Sequence, residues 1–283
     1  MDDSYSPVLS NWGYLYQNIY RTDQNGQFLD DKTDQAFQQY VAYHPLPNDK
    51  KFDVLLIDEG QDFNDKKITF LLSLVKDDDN SKVALFGDQN QRIYRREWRM
   101  DELRELDEHN EVFHLPTNLR NTQRIYSYCA PLIDDNETQP CENILGPEVI
   151  QECMATEAFR TWLDQLVSQY AIKASELAVL ADEKALLDRV LPNNLRLQTS
   201  HFSFRGYETI SFKEKCQGLR NWHNSQGNHP WKGTIHAFKG LEADYVIIIS
   251  RTKVPYETML HYVGASRPTY LLALVQISNT PVP

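Results

Sequence analysis

The sequence is poor in the groups that hold metals or staple small folds. It has four cysteines, Cys129, Cys141, Cys153 and Cys216, with no Cys-x-x-Cys pair among them. Its eight histidines form no His-x-x-x-His pair. The spacing does not match a zinc site, and free, partly buried thiols in a reducing compartment are expected. No apolar run reaches the roughly 18 residues of a membrane span. The opening MDDSYSPVLSNWGY is acidic and polar, unlike a secretory signal, and a cytoplasmic protein without membrane contact is expected. Basic residues are also in deficit: 29 Lys and Arg stand against 40 Asp and Glu, for a formal net charge of −11. A domain held to nucleic acid mainly through phosphates is usually basic. Any such contact here would have to be local. Arg92, Arg95, Arg96 and Arg99 cluster closely enough to form a basic patch, or the solvated end of a helix. No solenoid-type repeat is present.

What remains is a globular composition, with 41% hydrophobic and 24% charged residues. That suits one large domain or two small ones. Trp12, Tyr14, Tyr16 and Tyr20 read as core packing, Asn25-Gly26 as a turn, and Asp34 to Tyr43 as a short helix. Short apolar runs then alternate with helical patterns. Val54–Ile57 and Val83–Phe86 read as strands, with a helix over Ile68–Val75 between them. A helix follows over 121–133. Segment 134–150 is rich in Pro, Asn and acid and reads as a linker. Beyond it, helices are expected over Thr156–Tyr170, Asp182–Leu191 and Pro255–Val263. Strands are expected over Glu176–Leu180, Tyr245–Ile249 and Tyr270–Val275. Residues 200–232 show no clear period. Alternation of this kind predicts α/β architecture, with parallel sheets covered by helices.

Five strings carry chemistry. Val54-Leu-Leu-Ile-Asp-Glu-Gly-Gln-Asp-Phe63 places Asp58 and Glu59 at the C-terminal tip of a strand, the edge where α/β sheets bind ligands. One carboxylate there can hold Mg²⁺ and its neighbour can orient and deprotonate a water. Val83-Ala-Leu-Phe-Gly-Asp-Gln-Asn-Gln-Arg-Ile-Tyr94 turns at Gly87 and presents Asp88 and Gln91. Leu115-Pro-Thr-Asn-Leu-Arg-Asn121 offers Arg120, whose planar guanidinium can fork onto phosphate oxygens. Gly233-Thr-Ile-His-Ala-Phe-Lys-Gly-Leu-Glu242 runs into the Tyr245 strand. His261-Tyr-Val-Gly-Ala-Ser-Arg-Pro268 ends in a second arginine, Arg267.

In this order the five strings resemble motifs II to VI of UvrD/Rep-type superfamily 1 DNA helicases, over roughly residues 50 to 277. The resemblance implies two RecA-like lobes, the first incomplete and a helical 2B insertion minimal or absent. Lobe 1A would cover residues 1–133, a linker 134–150, and lobe 2A residues 151–283. It implies ATP and Mg²⁺ as cofactors and single-stranded DNA as partner. Asp58 would serve the Mg²⁺, Glu59 would be the catalytic base, and Gln61 would help couple the nucleotide site to the rest. Gln91 would sense the γ-phosphate, which Arg120 and Arg267 would contact. Glu242 would meet the nucleotide sugar, Lys239 and Gly240 would line the cleft, and Leu119 would lie against the adenine. Tyr94, Thr234 and His236 would lie toward DNA. Trp98 would either stack on a base or pack in the core.

The sequence departs from the family pattern at several points. Gly60 replaces an alanine, Leu119 the tyrosine that stacks on adenine, and Pro268 an alanine, and Trp98 lies farther from Tyr94 than is usual. The larger departure is that no Gly-x-x-x-x-Gly-Lys-Ser/Thr loop precedes Val54; only Gly13 and Gly26 stand there. Such a loop cradles the phosphates with backbone amides and a lysine. Two accounts fit: a truncated, split or degenerate motor, inactive alone, whose phosphate-loop half is absent or supplied by another chain, or a non-catalytic module that binds a partner protein or DNA. A nuclease reading has less support, since no Asp…Glu-x-Lys pattern accompanies the motifs.

Overall fold

A computed structural model of the chain describes residues 47–63, 65–78, 80–91, 113, 115–133, 138–140, 144–193, 195–204, 222, 229–251 and 258–278. The aromatic stretch, the Asn25-Gly26 turn, the Asp34–Tyr43 helix, the Arg92–Arg99 cluster, Tyr94 and Trp98 lie outside the described residues. So does most of the 205–228 segment, the place of any 2B-type insertion. The chain divides into two compact units, residues 1–56 with 65–84, and residues 57–64 with 85–283.

In the first unit, strand β1 (Val54–Ile57) begins and strand β2 (Lys82–Leu85) runs beside it. The Lys82 amide donates to the Asp53 carbonyl at 2.9 Å. Helix α1 (Asp65–Ser73) lies between them in sequence and buries Ile68, Phe70 and Leu71. The chain leaving it is pinned by the Phe52 amide on Leu74 and the Lys76 amide on Phe52.

The second unit is built on a five-stranded sheet ordered β5-β9-β8-β6-β7, every neighbouring pair parallel. Its strands are β5 (Ile150–Ala155), β6 (Leu177–Ala181), β7 (Trp231–Thr234), β8 (Ala243–Ser250) and β9 (Pro268–Ser278). Parallel strands need crossovers, and helices cover both faces of such a sheet, so central strands read as unbroken apolar runs. Alternate residues feed two cores. Val179, Ile247, Ile249 and Ala273 pack with Phe159, Leu163 and Leu187 of helices α3 (Thr156–Gln169) and α4 (Lys184–Val190). Leu180, Val246, Ile248 and Leu274 pack on the other side with α2 (Gln123–Cys129), α5 (Ile235–Phe238) and α6 (Thr258–Ala265). A two-stranded parallel pair, β3 (Thr117–Asn118) with β4 (Gln139–Pro140), completes the unit. No described helix is long and apolar enough to cross a membrane.

Pro268 opens β9 rather than extending α6, which ends at Ala265. Proline suits the first residue of a strand. Strand β5 begins inside the segment expected to be a linker. It sits at the sheet edge, and its Gln151, Glu152 and Cys153 are exposed, so it lacks the apolar run that marks a buried strand.

Candidate nucleotide-phosphate site

All the residues described next lie in the second unit. After Ile57 the backbone turns sharply: Glu59 sits in the left-handed region at φ 53°. Most side chains avoid that region, and a non-glycine there points to a site where surrounding contacts hold the strain. The contacts are visible. The Glu59 amide donates to Asp58 Oδ1 at 2.9 Å, and Gln61 Nε2 donates to Glu59 Oε2 at 2.6 Å. The Gly60 amide donates to the Phe86 carbonyl at 2.8 Å. Gly60 is also closely packed: a Cβ at this position would stand 2.4 Å from Leu85 Cδ2, so the leucine side chain would have to shift. The departure from the family's alanine therefore has a local steric cause.

A chain of hydrogen bonds leads from this acidic turn to Arg267. Gln61 Oε1 accepts from the Asp88 amide at 3.1 Å. Asp88 Oδ2 accepts from Gln91 Nε2 at 2.9 Å. Gln91 Oε1 accepts from Arg267 Nη2 at 2.6 Å. Arg267 also donates from Nε to the Val263 carbonyl at 2.9 Å and from Nη2 to Ser266 Oγ at 3.2 Å. Its side chain is buried, and burial lowers its pKa to about 10. The neighbouring positive charge of Arg120 pushes the same way, while Glu59 and Asp88 oppose it. Arg267 thus feels both the acidic turn and the other arginine.

Arg120 donates from Nε to Glu242 Oε2 at 3.1 Å across 122 residues of sequence. Both partners are substantially exposed, as a pair open to an incoming ligand must be. The turn carrying Arg120 is built by Asn118, whose Oδ1 accepts the amides of Arg120 and Asn121 at 3.1 and 3.0 Å. Asn121 is buried, and its Nδ2 donates to the carbonyls of Ser266 and Pro268 at 3.1 and 2.7 Å. Those two carbonyls flank Arg267. One asparagine therefore ties the Arg120 turn to the Arg267 turn.

Lys239 reaches the acidic turn from the end of α5. Its Nζ lies 2.5 Å from Asp62 Oδ1, 3.0 Å from the Gln91 carbonyl and 3.5 Å from Glu59 Oε2. Gly240, at φ 77°, brings the backbone past Glu59: a Cβ there would stand 3.8 Å from Glu59 Oε1. Thr234 caps α5, its hydroxyl accepting from the Ala237 amide at 3.3 Å. His236 is exposed on that short helix. Leu119 is 80% exposed.

The structure therefore gathers Asp58, Glu59, Gln61, Gln91, Lys239, Gly240, Arg120, Glu242 and Arg267 around one locality. Thr234 and His236 lie on or beside α5, and Leu119 is exposed beside Arg120. Two participants had no assigned role from sequence, Asp62 and Asn121. Asp62 closes the Asp-Glu-x-Gln-Asp string, a signal that could have found it. Asn121 had none, because its partners lie about 145 residues away.

The donors present fit a magnesium ion held with a nucleotide. They are oxygens only, and Mg²⁺ is usually bound by one or two carboxylates plus waters and phosphates rather than by an all-protein cage. Among the described residues, no group of three or more His, Cys, Asp or Glu side chains is arranged to hold a metal ion.

The second unit is a parallel α/β sheet covered by helices, and the acidic turn that follows β1 lies near the paired arginines. Residues 32–114 match the UvrD/REP helicase N-terminal domain, a stretch that includes the acidic turn and Gln91. The chain is accordingly related to the UvrD-like superfamily 1 helicases. Among solved structures it is similar to the C-terminal domain of a possible DNA helicase from Lactobacillus plantarum WCFS1. That likeness has 16% identity and a TM-score of 0.37, over 56% of this chain and 86% of the other. No curated protein matches.

Proposed function

We propose that this chain supplies the acidic and arginine elements of a UvrD-like, ATP-dependent motor that moves on single-stranded DNA, and that it does not turn over ATP by itself. The observation that carries the reading is the convergence of Glu59, Gln91, Arg120 and Arg267. A hydrogen-bond chain joins the acidic turn to Arg267, and the charges of Arg120 and Glu59 both act on that guanidinium.

In this reading Asp58 would hold a magnesium ion, which would supply charge neutralisation at the nucleotide's phosphates. Glu59 takes a proton from the attacking water. Gln91 holds Arg267 where its free donors face the terminal phosphate. Arg120 exchanges Glu242 for phosphate oxygens, and Glu242 is freed for the sugar hydroxyls. Arginines in such positions are worth about 10³–10⁵ in rate. Leu119 gives the base an apolar contact of smaller area than an aromatic ring. Tyr94, Trp98, Thr234 and His236 are proposed to face DNA, where stacking on a ring adds about 1–3 kcal/mol per base. A phosphate-cradling loop is not within these 283 residues, and turnover is proposed to require one supplied from outside them.

Steady-state ATPase measurement with single-stranded DNA tests this directly. The expected result is negligible turnover for the chain alone, with activity on adding a chain that carries the phosphate loop. Turnover of about 1 s⁻¹ or more that vanishes in Glu59→Gln would contradict the inactive state. Absence of nucleotide affinity even with that second chain would favour a non-catalytic module instead.

A further inference from the structure

The contacts of Lys239 are unusual for a lysine at the rim of a cleft. Its side chain is 6% exposed, and a buried ammonium persists only when its donors are met. Here they are met by two carboxylates and a carbonyl: Asp62, Glu59 and the main chain of Gln91. Three oxygens surround one positive charge at the acidic turn. Glu59 Oε2 also accepts from Gln61. The carboxylate assigned to proton transfer is thus occupied by two donors.

We propose that the Lys239 ammonium is a resident counter-ion at the acidic turn, and that the turn accepts a divalent cation only once Lys239 is withdrawn. The inference rests on the proposed site and describes its regulation. A divalent ion approaching Asp58 beside Glu59 and Asp62 meets a positive charge already within ion-pair distance of the latter two. Repulsion at such separations outweighs what one further oxygen ligand offers, because the site is partly shielded from water. Lys239 follows helix α5, beside Gly240, whose φ of 77° lies in the left-handed region. Movement of this segment would release Asp62 and Glu59 together.

The test uses the full chain and Mn²⁺ alone, without nucleotide, followed by calorimetry. Lys239→Met keeps the length of the side chain and removes its charge. It should bind Mn²⁺ about tenfold more tightly than the wild type, a change of about 1.4 kcal/mol. The double variant Lys239→Met with Glu59→Gln should lose that gain. Equal affinity in wild type and Lys239→Met, including no detectable binding in either, overturns the proposal. A second measurement avoids any folding defect of the variant. In wild type, acetylation of Lys239 by an amine-reactive reagent should accelerate several-fold as Mn²⁺ is added. Lys232, buried and bonded to Asp188, the Leu191 carbonyl and Asn193, should stay unlabelled as the internal control. A Lys239 rate indifferent to Mn²⁺ overturns the proposal as well. Because nucleotide is absent, the two readings fail separately. Gain of Mn²⁺ affinity without any ATP binding, even with the phosphate loop supplied, would remove the motor reading and leave this one; ATP binding with no change in Mn²⁺ affinity would do the reverse.

Discussion

Arg267 and Gln91 share a 2.6 Å hydrogen bond although 176 residues separate them in sequence. The bond joins the end of the hydrogen-bond chain from the acidic turn to the turn that opens β9. It occupies Nη2 of a guanidinium whose Nε is held by the Val263 carbonyl. Every donor that Arg267 spends on Val263, Ser266 and Gln91 also makes its substitution costly.

Arg267→Lys keeps the charge but cannot reproduce the planar fork, so at least one buried acceptor loses its donor. Such a loss costs about 1–3 kcal/mol. Arg267→Ala adds a cavity and should cost about 3–5 kcal/mol. Urea denaturation followed by circular dichroism should rank wild type above Lys above Ala. Equal midpoints for all three would mean that the buried contacts of Arg267 are not those described.

Asn121→Ala removes both bonds to the carbonyls flanking Arg267. Two buried acceptors are stranded, and a loss of about 2–4 kcal/mol is expected. The variant should also weaken nucleotide affinity without touching the ligand, because Arg120 and Arg267 lose their common tie. Asn121→Asp should not rescue either property, since a carboxylate offers acceptors where donors are needed.

Gly60→Ala restores the residue usual in the related helicases and should nevertheless destabilise this chain. The added Cβ meets the Cδ2 and Cγ of Leu85 at 2.4 and 2.6 Å. Overpacking of this kind costs about 1–3 kcal/mol. Leu85→Ala in the same chain should recover part of the loss, and a simple sum of the two effects would argue against the clash.

His261 predicts an acid limb to stability. It is buried, its Nε2 lies 2.6 Å from the Tyr128 hydroxyl, and burial lowers its pKa from 6.5 to about 4. The folded state therefore takes up a proton less readily than the unfolded chain. The neutral imidazole contributes its full stability above pH 6.5. That contribution is lost as pH falls from 6.5 through about 4, to a total of about 3 kcal/mol. Denaturant midpoints should decline across that interval in wild type, and the decline should be shallower in His261→Gln. Identical slopes would assign the acid limb to other groups.

Much of this was legible in the sequence, and the limits have physical causes. Val54–Ile57 is a strand over the expected residues because four apolar side chains run directly into acids. The central strands β6, β8 and β9 showed themselves the same way, being buried on both faces. Strand β5 was hidden by its exposed polar residues at the sheet edge. Strand β7 was hidden by Lys232, a charged residue inside a buried strand, made tolerable by Asp188, Leu191 and Asn193 from elsewhere in the chain. At the site, residue types and spacing pointed to Glu59, Gln91, Arg120 and Arg267. The contact between Lys239 and Asp62, and the tie through Asn121, depend on how distant turns meet, which no local pattern records.

The account stands on one site serving one terminal phosphate. Calorimetric titration of the chain with magnesium ATP and magnesium ADP, in wild type, Arg120→Ala and Arg267→Ala, addresses it most directly. Arg120→Ala breaks only an exposed ion pair and should change stability by less than about 1 kcal/mol, so loss of fold cannot explain its result. The account predicts a preference for triphosphate over diphosphate of about tenfold, or about 1.4 kcal/mol, that disappears in each arginine variant. Equal affinity for the two nucleotides in wild type, or a preference unchanged by either substitution, would contradict it.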